Sequence, residues 1–164
     1  MELATFNQLS ADEAQAAIRH CVAIPHWQQA LVAARPFATT EALLATADAL
    51  AREWQQPELE AALSAHPRIG ERAKGADKEA ALSRGEQSAM QQADYVLQQA
   101  MQQGNQVYEA RFGRVFLIRA KGRSGEQMLA ALQRRLQNSD IAEQHEALDQ
   151  LREITLLRLK ETMQ

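Results

Sequence analysis

The chain has 164 residues, a net charge near −3 and a single cysteine, Cys21. A chain of this length buries roughly two thirds of its unfolded surface, so it can hold a core without staples. One cysteine excludes an intramolecular disulfide and any multi-cysteine metal site. Charges of both signs are mixed along the chain, so "RAKGR" (119–123) and Arg134-Arg135 read as solvated surface, and no nucleic-acid partner is expected. No apolar run nears the ~20 residues of a membrane span. The opening "MELATFNQLS" lacks the cationic and apolar regions of a secretory signal, and the closing "KETMQ" carries no peroxisomal address. The expectation is a cytoplasmic protein with no membrane partner.

Ala, Leu, Gln, Glu and Arg dominate, interrupted by four Pro and seven Gly, which predicts an all-α class. Ser10 with Glu13 forms a capping-box pattern and predicts a helix from 11 to about 22. Cys21, in the apolar run "IRHCVAI", reads as a small core residue. "IPHWQQALVAARP" gives a short helix between prolines. "TTEALLATADALAREW" places Leu43, Leu44, Ala47, Leu50, Ala51 and Trp54 at helical spacing. Pro57 suits a helix first turn, and "ELEAALSA" carries that helix to His66-Pro67. Residues 66 to about 80 read as a loop. A helix is predicted to follow Ser83, with Met90, Ala93, Leu97 and Met101 on one face, a kink at Gly104 and a cap at Gly113. "VFLI" (115–118) is the only strongly β-like run and has no partner strand, so its backbone groups must bond elsewhere. "SGEQMLAALQRRLQ" is helical, and a last helix runs from about 140 to 162. No repeat, linker or low-complexity tract marks a domain boundary, so a single domain, 1–164, is expected.

Motifs for zinc proteases, phosphate loops, dinucleotide binding and serine-hydrolase elbows are absent. The histidines at 20, 26, 66 and 145 show no metal-ligand spacing, and no metal site is expected. Three of them, His20, His26 and His145, read as surface or packing residues. His66 differs, because the residue before proline is pushed toward extended geometry. It is either an exposed histidine at a helix C-terminus or an imidazole held to donate a proton near neutral pH. "SRGEQ" (83–87) reads as a Ser83–Glu86 capping box, or as a helix N-terminus offered to an anionic or carbonyl-rich ligand. Arg158 shares an apolar helix face with Leu151 and Ile154, so it must snorkel outward, pair with an acid or meet a ligand carboxylate. The "VFLI" run is either filler between helices or a source of backbone groups for a flat, amide-like ligand.

Taken in order, "AHPRIGE" (65–71), "SRGEQ" (83–87), "NQVYEARFGRVFLI" (105–118) and "LLRL" (156–159) resemble one family. These are the 2-oxo-4-hydroxy-4-carboxy-5-ureidoimidazoline (OHCU) decarboxylases of the urate-to-allantoin branch of purine breakdown. The resemblance implies a fold of about eight helices with one extended segment near 115–119, a homodimer, and no metal or organic cofactor. It implies OHCU as the small-molecule substrate, with His66 as proton donor; Glu86 is then either a catalytic partner of His66 or mainly a helix cap. Pro67, Ser83, Arg84, Gly85, Glu86, Gln87 and the stretch Phe116, Leu117, Ile118, Arg119, Ala120 are implied to lie against the substrate, with Arg158 as a further polar contact. Read from its residues, the cationic, glycine-containing loop over 68–75 is either a cover for an anionic substrate or a solvated basic loop. Two departures bear on the pocket wall: Arg114-Val115 stands where the family often has Phe-Pro, and "AAL" precedes Ser83 without the Thr often found there. The rival reading, a helical interaction module without catalysis, explains the helices and caps but does not call for this set of polar residues.

Overall fold

The computed structural model describes residues 1–71 and 78–164, Glu79 by its backbone alone. Among the described residues every regular element is an α-helix: α1 (Leu3–Gln8), α2 (Ala11–Ile18), α3 (Pro25–Ala33), α4 (Thr40–Ala51), α5 (Gln56–Leu63), α6 (Lys78–Glu86), α7 (Ser88–Gln91), α8 (Tyr95–Phe112), α9 (Gly125–Arg135) and α10 (Asp140–Thr162). The all-α expectation holds. The two helices beyond the expected eight are the short α1 and α7. The backbone gathers into two compact units, Met1–Ala62 with Arg152–Gln164, and Leu63–Leu151.

In the first unit the start signals read from sequence operate as expected. Ser10 and Glu13 form a reciprocal capping box at α2, and Pro25 opens α3. The Trp27 indole N–H donates to the Ala47 carbonyl at 3.1 Å, and the Trp27 and Trp54 rings meet edge to face at 6.1 Å. Both tryptophans and Cys21 are buried in this core. His20 is buried with Nε2 2.7 Å from Thr162 Oγ1, a packing role. Helix α1 has no apolar period to announce it. Its C-terminal carbonyls are satisfied from outside, by Arg35 Nη1 donating to Phe6 and Leu9 at 2.8 Å each.

The second unit departs from expectation at "SRGEQ". Helix α6 begins before Ser83 and ends at Glu86, and the Gln87 N–H donates to the Ser83 carbonyl at 3.1 Å. Ser83 is a helix-interior residue, so the capping box and the N-terminal anion site are both excluded there. The reason is upstream: Ala80, Ala81 and Leu82 are strong helix formers and carry the helix through the serine. The single long helix expected after Ser83 is three helices. The last is capped by Asp94, whose side chain accepts from the Leu97 N–H at 2.8 Å. Gly104 lies inside the unbroken α8 and produces no break. A Cβ there would sit 3.0 Å from Leu132 Cδ2, so this glycine lets α9 pack closely. Gly113 closes α8 at φ +73°, as expected.

One apolar cluster organises this unit: Ile69, Met90, Met101, Tyr108, Phe116, Ile118, Ala120, Met128 and Leu132. It draws on the loop after His66, on α7 just past Gln87, and on the extended segment. Each stretch singled out in the second unit is therefore pinned, within a few residues, to the same core.

Candidate active site

Helix α5 stops at Leu63, and the His66 N–H closes a turn onto the Leu63 carbonyl at 3.1 Å. The pre-proline restriction ends the helix there, as the sequence predicts. His66 is half-buried and its Nε2 is shielded from solvent, so the exposed-histidine reading is excluded. The loop beyond it is held at three points. Ile69 enters the core, its carbonyl accepts from Asn105 Nδ2 at 2.7 Å, and the Gly70 N–H donates to Gln87 Oε1 at 3.0 Å. That last bond ties the His66 loop to the 83–87 stretch.

Within 83–87, Ser83 and Gln87 are buried, Arg84 and Glu86 are half-buried, and Gly85 is exposed. Glu86 is the final residue of α6. A carboxylate there opposes the helix dipole, which favours cations at a C-terminus. A Cβ added at Gly85 would meet nothing within 4 Å. The protein's own packing therefore does not require glycine at 85, although glycine in a helix costs ~1 kcal/mol against alanine. Gly85→Ala is expected to raise stability by ~0.5–1 kcal/mol in denaturant unfolding. If ligand approaches this backbone, the same variant raises KM.

The stretch 115–120 forms no helix and no strand, so the "VFLI" expectation of a lone extended segment holds. Phe116, Leu117, Ile118 and Ala120 are buried. The Leu117 carbonyl accepts from Arg135 Nη1 at 2.9 Å, and the Arg119 N–H donates to Gln150 Oε1 at 2.8 Å. The Arg119 carbonyl accepts from Arg123 Nε at 2.8 Å, and the Ala120 carbonyl from the Arg123 N–H at 3.1 Å. Between these anchors, the N–H and C=O of Ile118 have no hydrogen-bond partner among the described residues. A buried peptide group left in that state costs on the order of 1–3 kcal/mol, which a ligand's amide edge would offset.

Sequence reasoning missed the buried ion network beneath this segment. Arg135 and Glu143 are 1% and 0% exposed and joined at 2.6 Å, and Tyr108 donates its hydroxyl to the same carboxylate. Burial first, and Glu143 second, push the Tyr108 phenol well above its ordinary range. The motif Asn-x-x-Tyr-x-x-x-Phe-Gly-x-x-Phe thereby acquires physical content. Asn105 holds the His66 loop, Tyr108 reaches Glu143, Phe112 stacks on Tyr108 at 4.8 Å, Gly113 turns the chain, and Phe116 lies under Arg135 at 4.5 Å. The solvated-surface reading of Arg135 is corrected, since Arg135 is 1% exposed, and Glu143 carried no signal; a charged residue on an apolar helix face is usually a snorkelling one.

Two arginines are held by partners within the protein. Arg158, in the first unit, is 1% exposed and does not snorkel; its Nη1 lies 3.3 Å from the His20 carbonyl it donates to. Arg68 opens the 68–75 stretch and is already paired. It makes a two-point ion pair with Glu109, 2.8 Å at each contact, and this holds its guanidinium pKa above the usual value. The rest of the 68–75 expectation falls on 72–75, outside the described residues. A cleft of about 560 Å³ beside the same loop is lined by Arg68, Gly70, Gln102, Asn105 and Glu109 among others, but not by His66 or 83–87.

The OHCU decarboxylase family model matches residues 7–160. The chain belongs to the OHCU decarboxylase family. A relative from Haloferax volcanii, 2-oxo-4-hydroxy-4-carboxy-5-ureidoimidazoline decarboxylase, is 30% identical over 128 residues, covering 77% of this chain and 74% of the relative. A crystal structure of OHCU decarboxylase in the presence of (S)-allantoin superposes with a TM-score of 0.74 at 26% identity, covering 88% of this chain and 95% of that one. A crystal structure of (S)-allantoin synthase shares the fold at a TM-score of 0.74 and 18% identity, covering 99% of this chain and 54% of that one. No described helix of this family member is long and apolar enough to cross a membrane.

Proposed function

We propose that this chain, acting as one domain over 1–164 and as a homodimer in the cytoplasm, decarboxylates OHCU to (S)-allantoin with His66 as proton donor. The chain is a carboxy-lyase of the OHCU decarboxylase family. The substrate carries a hydroxyl and a carboxylate on one ring carbon and a ureido group on the next. The bond to the carboxylate breaks and CO₂ leaves. Its electron pair flows toward the adjacent ring C=N, so the substrate contains its own electron sink and the reaction calls on no cofactor. The ring nitrogen that receives the pair takes up a proton, a second proton reaches the ureido-bearing carbon from one face, and the hydroxyl on the other carbon loses its proton, so that the hydroxyl-bearing carbon becomes the carbonyl.

His66 supplies the proton from the loop that Asn105 and Gln87 hold, and Pro67 restricts its imidazole. Ser83, Arg84, Gly85 and Gln87 line the 83–87 wall. Glu86 accepts a hydrogen bond from the hydroxyl or a ureido N–H and favours the charged form of the histidine. The Phe116–Ala120 backbone reads the flat amide edge. The observation that carries this reading is the pair of unpartnered Ile118 peptide groups, in a segment that shares its core with Ile69 and Met90.

The deciding assay generates the intermediate from urate with urate oxidase and the upstream hydrolase. Adding this protein should hasten the formation of one allantoin enantiomer. Because the intermediate also decays unaided, an unchanged rate and a racemic product would overturn the reading. Glu86→Gln separates catalysis from stability. Removing a carboxylate from a helix C-terminus should hold or raise stability by ~0.3–1 kcal/mol, while turnover falls. Unchanged turnover would remove Glu86 from the chemistry.

A further inference from the structure

We propose that Arg135, clamped by Glu143 and Tyr108, is a positioning residue that sets the register of the substrate-reading segment 116–120. This rests on the function proposed above and names the device that shapes its binding wall.

The geometry divides the three side chains into a clamp and an arm. Glu143 accepts from Arg135 Nε at 3.1 Å and from Nη2 at 2.6 Å, and also receives the Tyr108 hydroxyl and Asn138 Nδ2, the latter at 3.2 Å. With Nε and Nη2 committed, the planar guanidinium has one rotational setting. The remaining nitrogen, Nη1, then points at one acceptor, the Leu117 carbonyl at 2.9 Å. The face of the same group lies 4.5 Å from the centroid of the Phe116 ring. One side chain thus fixes two consecutive residues immediately ahead of Ile118.

Both charges sit where their helices favour them. Arg135 ends α9 and Glu143 lies in the first turn of α10, so the helix dipoles hold the pair as well as the Coulomb attraction between them. On the other side of Ile118, Gln150 holds the Arg119 N–H. An extended segment without a sheet has no ladder to set its register, and the two anchors take that place. Among the described residues they leave only the peptide groups of Ile118 unpartnered between them.

The test uses two variants of the full-length protein. Arg135→Lys keeps the charge but loses the planar fork that aims Nη1. Gln150→Ala removes the second anchor from a half-buried position and serves where Arg135→Lys does not fold. Each variant is expected to raise KM for OHCU about tenfold while kcat changes much less. Each is also expected to quicken amide exchange across 115–120 while α8 keeps its protection. A folded variant with wild-type KM overturns the proposal, whether or not local exchange changes. Exchange that quickens equally throughout the unit overturns it too, since that is general destabilisation. If wild type does not turn over OHCU but local exchange still responds, the functional reading fails and the register-setting role stands.

Discussion

His66→Asn is expected to lower the rate of (S)-allantoin formation by ~10²- to 10⁴-fold, the range of general acid–base contributions, with little change in unfolding midpoint. Asn keeps a polar planar group of similar breadth, so the half-buried position is not emptied. What it lacks is a proton that can be given up near neutral pH. The fold should tolerate the change, because the loop is held by neighbours. Ile69 is in the core, its carbonyl is bonded to Asn105, and the Gly70 N–H is bonded to Gln87. The measurement is a progress curve by circular dichroism, which reads rate and handedness together, alongside a denaturant melt. A folded Asn variant with near-normal turnover would remove His66 from the donor role.

Much of this site could be read from the chain because its signals are local. Pre-proline geometry ends α5 at the right place, and Gly113 marks the turn into the lone apolar run. The misreadings have a common cause in longer-range context. Ser83-x-x-Glu86 is a cap only if the chain before Ser83 is not already helical, and the alanines upstream decide that it is. The same pattern at Ser124 with Gln127 is a true capping box, since the extended segment and a turn precede it. Arg158 was ambiguous, and Arg135 was misread as solvated surface, for a related reason. A charged residue on an apolar stripe can reach outward or turn inward, and only the neighbouring helices settle which. Both turn inward, where both are 1% exposed. The acceptors they find there, the His20 and Leu117 carbonyls, are distant in sequence and give no periodic signal.

Glu143→Ala is expected to destabilise the protein by ~3 kcal/mol, the cost of taking the closer partner from a buried charge, with Glu146 Oε2 left 3.5 Å from Arg135 Nε. Arg135 would keep its bond to Leu117 but lose the carboxylate on Nε and Nη2, and the Tyr108 hydroxyl would lose its acceptor in the same change. Desolvating two ions is expensive, so the intact network need not contribute net stability over an apolar core of equal volume. The double variant Arg135→Met with Glu143→Leu tests this. It removes both charges and keeps the bulk, and it should recover most of the lost stability in urea unfolding. Yet it has no donor for the Leu117 carbonyl, so its KM should stay raised. Recovery of stability without recovery of substrate affinity would show that the buried pair is kept for the register of 116–120. A double variant as damaged as Glu143→Ala alone would instead show that the network contributes to stability beyond its volume.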